Sequence, residues 1–221
     1  MSTSHHPPLE ILSFCKICSQ GLAEIGTNKG RIKFVSDILP PLLLNPAPFR
    51  AILHGIINGS AYPDTHYSTM FANELILYLD PDGRFSLRMF LWAPGEYDPV
   101  HDHNSWGVIG PVSGSLDVTN YRCEHVGNDR GTAYIVETKR RIIHPGETYH
   151  VLPLDRGIHR TGNPTDNTII QISVYGTKQT DRNFVNTYNP DDGSVSPLYT
   201  PKIKKRVLAE QALTTLKPAS R

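Results

Sequence analysis

The fold of this chain is decided by residues 84–110, which read RFSLRMFLWAPGEYDPVHDHNSWGVIG. A run rich in aromatic and aliphatic residues opens the stretch at Phe85–Trp92, and a second such run, Gly107–Val112, begins where the stretch ends. The first run is closed by Pro94-Gly95, a pair of residues that interrupts regular structure. The pattern predicts two β-strands joined by an extended segment.

Runs of the same kind lie on both sides of this stretch, separated by turn sequences such as Asp80-Pro81-Asp82-Gly83. Seven closely spaced short strands without helical patterns between them predict an all-β core, closed or sandwiched from antiparallel strands, of which the jelly-roll barrel is one common form. The further predicted strands are Leu75–Leu79, Leu116–Tyr121, Thr132–Glu137, Thr148–Leu152 and Ile169–Tyr175.

The two ends of the chain have helical character. From Leu9 to Asn58 apolar residues recur at three and four, and prolines at 40, 41, 46 and 48 interrupt the pattern, which predicts two or three helices. A further helix is predicted over Lys204–Leu216. We expect a single domain over residues 1–221, with a mainly helical part at 1–60, the β-barrel at 70–180 and the C-terminal helix at 200–216.

Composition narrows the possible partners. The 22 Lys and Arg residues nearly balance the 21 Asp and Glu residues, so no strongly basic face is expected and nucleic acid is an unfavoured partner. No apolar run approaches the roughly 18–20 residues of a membrane span, and the first residues lack the pattern of a signal peptide. These features favour a cytoplasmic protein without a membrane partner, and they leave the oligomeric state open.

The cysteines give little functional information. Three of them, Cys15, Cys18 and Cys123, form an odd count in a chain that does not need disulfides for stability. Cys15 and Cys18 form a C-x-x-C sequence, but no second pair and no following βαβ pattern supports a zinc or redox site. Helical spacing from Leu9 to Ile25 instead predicts that both thiols belong to the buried face of a helix.

A pair of histidines suggests a metal site. His101 and His103 flank Asp102, and in an extended segment residues two apart lie on the same face, about 6–7 Å from each other. Two imidazoles at that spacing can share one metal ion. Asp102 is expected to face the opposite side, where its role would be structural.

The surroundings of these histidines resemble the two signature motifs of the cupin superfamily. Gly95 lies six positions before His101, and a second block reads Pro-x-x-x-Gly-x-His-x-x-x-Asn from Pro153 to Asn163. The resemblance implies a cupin jelly-roll barrel with His159 as a third metal ligand. Most cupins add a glutamate from the first motif, but here the matching place falls at about Gly107, which implies three neutral histidines and no carboxylate.

The residues from Arg84 to Gly110, with Gly157–Asn163, are similar to the cysteine dioxygenase family, especially its bacterial 3-mercaptopropionate dioxygenase branch. The resemblance covers about Phe85–Tyr175. It implies ferrous iron, Fe(II), held by His101, His103 and His159, and addition of both atoms of dioxygen to a thiol sulfur. Three imidazoles alone suit iron, zinc, copper or nickel, so the choice of iron rests on the resemblance.

Other positions acquire expected roles from the same resemblance. Tyr175 matches an active-site tyrosine that can hydrogen-bond substrate or bound oxygen, although a buried strand tyrosine is the plain alternative. Ser173 stands where the family usually has the histidine of a Ser-His-Tyr relay, and it can still hydrogen-bond Tyr175 without titrating near neutrality. Trp106 either borders the substrate pocket or belongs to the core. With Gly107 in place of the family's cysteine, we expect no cross-link to Tyr175.

A substrate carboxylate needs a cationic partner. The 3-mercaptopropionate branch uses an arginine several residues after the tyrosine, and Arg182 is the best match, with a small offset. A guanidinium can bind a carboxylate through two parallel hydrogen bonds and would direct the sulfur of a mercapto-acid toward the metal. Arg88 and Arg160 are weaker candidates, and Arg182 as a surface residue is the structural alternative.

Three functions are compatible with these residues. The first is a thiol dioxygenase acting on a small mercapto-carboxylate, with 3-mercaptopropionate favoured and cysteine or mercaptosuccinate as alternatives. The second is a cupin that binds a metal or small ligand as a sensor or scaffold without turnover, since fold and ligands do not prove catalysis. The third is a cupin enzyme of another chemistry, such as cleavage of a carbon–carbon bond by dioxygen.

Overall fold

The structure, a computed structural model that describes residues 6–126 and 131–215, begins with four helical segments. Two or three helices were predicted. The additional segment is a single turn that starts at Pro40, where we expected a helix to end. Proline is accepted at the first helical position because its missing N–H would have no partner there anyway. The segments are α1 (Leu9–Glu24), α2 (Asn28–Ile38), α3 (Pro40–Leu43) and α4 (Ala47–Ile57).

The C-x-x-C cysteines lie on the buried face of α1, as predicted. Cys15 and Cys18 are both inaccessible to solvent, and both are free thiols. Burial raises the pKa of the Cys18 thiol to about 12, so the thiolate that redox chemistry or metal binding needs is suppressed. The apolar face itself differs from the predicted one, because Leu9 and Leu12 are exposed. These thiols are core residues.

Ten strands follow the helices within the described residues. The predicted strands are present, several with different bounds, and three more occur where the sequence is too short or too polar to show a strand pattern: β7, β9 and β10. The strands are β1 (Glu74–Leu79), β2 (Phe85–Trp92), β3 (Gly107–Pro111), β4 (Leu116–Val126), β5 (Ala133–Ile143), β6 (Tyr149–Val151), β7 (His159–Gly162), β8 (Ile169–Gly176), β9 (Phe184–Tyr188) and β10 (Val195–Tyr199).

Eight of these strands, β1 to β8, form two antiparallel sheets that face each other. One sheet has the order β1-β2-β8-β3-β6, and the other has the order β5-β4-β7. His101 extends the second sheet through an isolated antiparallel bridge to His159 at the start of β7. Beginning with β2, the chain crosses from one sheet to the other at each step except the β4–β5 hairpin, as in an eight-stranded jelly roll. This arrangement confirms the predicted fold class, a cupin-type barrel core.

Two apolar cores hold the three layers together. The helices cover the outer face of the five-stranded sheet, where Leu87, Val108 and Val174 join the buried residues of α1, α2 and α4. The second core lies between the sheets and includes Ile109 and Val118. Strand β2 is therefore buried on both faces, which explains why it reads as a nearly continuous apolar run.

The chain continues past the barrel into a hairpin and a helix. Strands β9 and β10 pair with each other and lie beyond residue 180, where the predicted β-region ended. The C-terminal helix, α5, spans Pro201–Thr215, close to the predicted bounds. The predicted end at Leu216 falls outside the described residues. None of the described helices is both long and apolar enough to cross a membrane.

Candidate metal centre and adjoining cavity

Backbone pairing brings the three predicted histidines together. His101 and His103 lie in the irregular segment between β2 and β3, and their rings are on the same side of it, with centroids 4.7 Å apart. The backbone N–H of His101 donates to the carbonyl of His159 at 2.9 Å, and the reverse hydrogen bond measures 3.0 Å. This pairing fixes His159, at the start of β7, beside the other two residues.

The three imidazoles form a nearly regular triangle. The distances between ring centroids are 4.7 Å from His101 to each of the others and 4.8 Å between His103 and His159. One ring nitrogen of each residue lies within 4.8 Å of the others, and the three residues form a group that could hold a metal ion. All three are buried.

Electrostatics keep these rings neutral. Burial lowers the pKa of His101 to about 4, partly offset by its hydrogen bond to the Pro99 carbonyl and by Asp102. Burial also lowers the pKa values of His103 and His159 well below the ordinary range, and the neighbouring histidines lower them further. Neutral imidazoles keep the lone pairs that a metal ion requires.

The orientation of the rings fits a metal ion. The Nδ1 of His101 donates to the Pro99 carbonyl at 2.9 Å, which leaves its Nε2 unprotonated and free to bind a cation. The Nε2 atoms of His103 and His159 face each other at 2.9 Å. A cation between these lone pairs would satisfy both. The Nδ1 of His159 is buried and has no hydrogen-bond partner among the described residues, unlike the Nδ1 of His101.

Among the described residues the three-histidine group includes no carboxylate, and Gly107 occupies the place that the cupin resemblance assigns to a glutamate. Gly107 lies opposite Tyr175 in the sheet. A Cβ atom at Gly107 would come within 2.7 Å of two carbons of the Tyr175 ring and 3.0 Å of Val151. Any larger side chain here would collide with that ring, so the sheet itself excludes a glutamate.

Asp102 faces away from the cluster, as expected, and Arg182 is one of its partners. The guanidinium of Arg182 forms two hydrogen bonds with the Asp102 carboxylate, at 3.0 and 3.1 Å. The backbone N–H and side-chain amide of Asn186 and the hydroxyl of Tyr188 complete the shell of this buried carboxylate. Arg182 also donates to the side-chain oxygen of Asn104 at 2.9 Å.

A cavity of about 230 Å³ opens on the histidine cluster. Both His101 and His103 border it, and so does Tyr175, whereas Arg182 does not. The sequence analysis placed Arg182 at the substrate, but its position gives it a protein carboxylate as a partner. The lining residues are Met70, Phe71, Glu74, Arg88, Phe90, His101, His103, Asn104, Ser105, Tyr175, Gly176, Lys178 and Val185.

Two cations and one anion give the cavity its charge. Arg88, one of the weaker candidates from the sequence, pairs with the buried carboxylate of Glu74. Glu74 also accepts hydrogen bonds from the backbone N–H groups of Met70 and Phe71, at 3.1 and 3.4 Å. Lys178 is exposed and makes no hydrogen bond or ion pair with any described residue. The cavity therefore carries one excess positive charge.

Tyr175 and Ser173 lie on the same face of β8. The Tyr175 ring stacks on His103 with centroids 5.7 Å apart, and the Arg88 guanidinium lies 5.4 Å from its centre. Burial raises the pKa of Tyr175, so its phenol stays protonated, while a hydrogen bond with Ser173 lowers that pKa by a smaller amount. Ser173 is fully buried and lies behind Tyr175, out of contact with the cavity.

Gln171 extends this chain of polar groups and was not singled out by the sequence analysis. Its amide N–H donates to the Ser173 hydroxyl at 3.0 Å, and its carbonyl accepts from the indole N–H of Trp92 at 3.0 Å. The alternation Gln171, Ser173, Tyr175 along one strand was the available signal. These groups are neutral across the physiological pH range, unlike a relay that contains histidine.

Trp106 is a core residue. It is completely buried and belongs to the apolar cluster on the helix side of the sheet. A Cβ atom at Gly176 would come within 2.1 Å of its indole ring. Trp106 thus supports the cavity wall at Gly176 and does not border the cavity itself.

Asp98 is a further buried acid that the sequence analysis missed. Its carboxylate accepts a hydrogen bond from the backbone N–H of Thr161 at 2.7 Å, and its second oxygen lies 3.6 Å from the Nδ1 of His101. Burial raises the pKa of this carboxyl group well above its usual range. Its place three residues before the first ligand was the only signal in the sequence.

No family model matches the sequence. Solved structures similar to the chain include a cupin 2 conserved barrel domain protein from Salinispora arenicola, with 20% identity over 51% of this chain and 83% of that one at a TM-score of 0.36. A cupin 2 domain-containing protein from Halorhodospira halophila is 16% identical over 70% of this chain and 88% of that one, with a TM-score of 0.39. The Cupin_2 domain of an XRE family transcriptional regulator from Enterobacter cloacae is 15% identical over 47% of this chain and 93% of that one, with a TM-score of 0.35.

The fold assignment rests on the strand order of the chain itself, since these similarities are low. The two facing sheets and the bridge at His101 form a cupin-type barrel, and a cavity bordered by His101 and His103 lies at the three-histidine group. The chain is therefore a cupin-fold protein with a buried three-histidine group that could hold a metal ion.

Proposed function

We propose that the chain is a thiol dioxygenase that uses Fe(II) to convert a small mercapto-carboxylate into a sulfinic acid. The observation that carries the proposal is the carboxylate-free group of three neutral histidines at a cavity that also holds Arg88, Lys178 and Tyr175. The sequence resemblance to cysteine dioxygenases supplies the choice of iron and thiol. 3-Mercaptopropionate, cysteine and mercaptosuccinate are the candidate substrates.

His101, His103 and His159 would hold the iron. Ferrous iron bound there would favour the thiolate form of the substrate and would make dioxygen reactive toward sulfur. Because the protein ligands are three neutral groups, the charge of the ion is not reduced by a carboxylate. The site therefore favours an anionic ligand such as a thiolate.

Arg88 and Lys178 would bind the substrate carboxylate. The Arg88 guanidinium pairs with the Glu74 carboxylate and its Nε donates to the Ser86 hydroxyl, and its remaining N–H groups would donate to the substrate carboxylate. Lys178 adds an unpaired positive charge. A mercapto-acid anchored at these cations would place its sulfur at the histidine end of a cavity of about 230 Å³.

Tyr175 would act as a hydrogen-bond donor. Its pKa is raised by burial, so the phenol remains protonated and can donate to substrate or oxygen without transferring its proton outright. Ser173, which accepts a hydrogen bond from Gln171, is a neutral neighbour on the same face of β8 that would support the phenol. Phe71 and Phe90 border the same cavity and reduce the access of water to the reacting sulfur.

The reaction balances without another reactant. The carbon–sulfur bond of the thiol stays intact. The sulfur forms two S–O bonds, one to each atom of the same dioxygen molecule. The sulfur is oxidised by four electrons, dioxygen is reduced by four, and the thiol proton ends on the sulfinic acid or in solvent. No external reductant is needed.

The test combines metal analysis with turnover. Protein purified without added metal should contain iron, and the iron-loaded protein should consume one dioxygen per sulfinic acid formed from at least one mercapto-acid of a panel. His159→Ala should lose both iron and turnover. Zinc in the purified protein, or no sulfinic acid from any member of the panel, would refute the proposal and favour a metal-binding sensor or scaffold.

A further inference from the structure

A groove of about 970 Å³ adjoins the metal cavity. The two share three lining residues, Met70, Phe71 and Glu74. Phe71 also contacts the candidate ligand His101, with ring centroids 5.2 Å apart. The groove therefore begins one side chain away from the histidine cluster and runs between residues 65–75 and residues 197–205.

The far side of the groove is strongly basic. Lys202, Lys204 and Lys205 of α5 border it and are exposed. None of their ammonium groups forms an ion pair with a carboxylate in the part of the chain that the structure describes. Among the described residues of the lining, Glu74 is the only acidic one, and its carboxylate is paired with Arg88. The three lysines of α5 therefore give the far side of the groove three positive charges that no carboxylate of the lining neutralises.

A small mercapto-acid does not use this groove. Its sulfur and carboxylate are only two or three bonds apart, so both ends fit within the inner cavity, near Arg88 and Lys178. The lysines of α5 would then face solvent without a partner. A molecule that places a thiol in the inner cavity and an anionic group several bonds away would contact both regions.

We propose that the substrate thiol is the end of a longer molecule, whose remote carboxylate or phosphate groups bind in the groove beside Lys202, Lys204 and Lys205. This inference rests on the proposed thiol dioxygenase function. The chemistry at sulfur is unchanged, with two S–O bonds formed from one dioxygen, and the remote groups take no part in the reaction. They raise the affinity and select long anionic thiols over short ones.

Exposed charges act over a limited distance in salt. Each contact between an exposed lysine and an anion is weak, and its strength falls as ionic strength rises. Removal of three such contacts, with reversal of the charges, is expected to raise the KM of a long anionic thiol about tenfold at low salt. The difference between variants should shrink toward about twofold near 0.5 M salt.

The experiment compares three thiols with the full-length, iron-loaded protein: 3-mercaptopropionate, glutathione as a carboxylate probe, and 4′-phosphopantetheine as a phosphate probe. The test variant is Lys202→Glu/Lys204→Glu/Lys205→Glu. A control variant with the same change in net charge is Lys16→Glu/Lys29→Glu/Lys139→Glu, because these three lysines are exposed and lie outside both cavities. Dioxygen uptake and sulfinate mass are measured for each pair.

The expected result is a KM increase for glutathione or phosphopantetheine in the test variant only, with the KM for 3-mercaptopropionate changed less than about twofold. The responsive probe identifies the anion as carboxylate or phosphate. The inference is overturned if neither long thiol is a substrate while 3-mercaptopropionate is, or if the test variant affects short and long thiols equally.

A binding measurement separates this inference from the proposed function. The S-methyl derivatives of glutathione and phosphopantetheine cannot be oxidised to sulfinic acids, and their binding is measured by calorimetry. Loss of that binding in the test variant alone supports the groove even if no thiol is turned over. Absence of binding to the unmodified protein contradicts the groove whatever the enzyme does with small thiols.

Discussion

Replacement of Gly107 by alanine tests the reason why this site has no fourth protein ligand. The new Cβ would lie 2.7 Å from Cδ1 and Cε1 of Tyr175 and 3.0 Å from a methyl group of Val151. Carbon atoms in van der Waals contact are separated by about 3.5–4.0 Å, so the tyrosine ring must move by about 1 Å. That ring stacks on His103, and the movement therefore reaches a candidate metal ligand.

The expected cost follows from overpacking. Extra atoms in a well-packed interior destabilise a protein by about 1–3 kcal/mol, and Gly107 is buried in the middle of the five-stranded sheet. With a urea m value of about 2 kcal/mol/M, a loss of 2 kcal/mol lowers the midpoint of unfolding by about 1 M. Metal affinity should fall in the same variant because His103 is displaced.

The assay is urea unfolding of the metal-free protein, followed by fluorescence. Gly26→Ala is the matched control, because no atom lies within 4 Å of its added Cβ; it should stay within about 0.5 kcal/mol of the unmodified protein. The double variant with Tyr175→Ala removes the ring that Gly107→Ala would strike, and a coupling of about 1–2 kcal/mol is expected. An unchanged midpoint in Gly107→Ala, or a penalty that persists without the ring, would refute this reasoning.

Three other predictions concern the ligands, the arginines and pH. His159→Ala should abolish metal retention measured by mass spectrometry, whereas His150→Ala, a change at an exposed strand position, should not. Arg88→Lys should raise the KM for a mercapto-acid about tenfold, because a charge-assisted hydrogen bond is lost. Arg182→Lys should lower stability with little effect on the KM. The opposite outcome would make Arg182 the substrate anchor. Because burial holds the pKa of His101 at about 4, below the ordinary value near 6.5, the unfolded chain binds a proton that the folded metal-free chain excludes. The free energy of unfolding should therefore fall as pH drops from about 6.5 toward 4, by up to about 1.4 kcal/mol per pH unit for each such histidine, and denaturant titrations at several pH values check this sign.

Two of the candidate metal ligands, His101 and His103, could be predicted from local spacing, whereas His159 was predicted from the resemblance to the second cupin motif. The spacing of His101 and His103 on an extended segment follows from the two-residue period of a strand, and the second motif around His159 reads clearly in the sequence. The Asp102 side chain faces away for the same reason. The helices and most strands were also predictable, since their periodicity and turn residues are properties of short segments.

The charged residues of the cavity could not be predicted from local patterns. Arg182 meets the Asp102 carboxylate across about eighty residues, and no local pattern reports such a partner. Arg88 interrupts a strand that is buried on both faces, which was a signal that its side chain has a special environment. Its partner Glu74 and the neighbouring Lys178 lie on other elements, so only the folded chain shows that these charges meet in one cavity.

The two-residue period of an extended backbone also gives neighbouring residues of the candidate site different roles. In residues 101–103 the two outer histidines belong to the group that could hold a metal ion, while the middle residue, Asp102, anchors the segment to β9 through Asn186 and Tyr188. We therefore expect metal affinity at the three histidines to depend on this buried, hydrogen-bonded anchor. The groove proposed for the remote part of a substrate is bordered by the irregular residues 65–72 and by α5. It follows that changes in the anchor network should alter metal binding and stability, whereas changes in the groove should alter the choice of substrate and leave the metal in place.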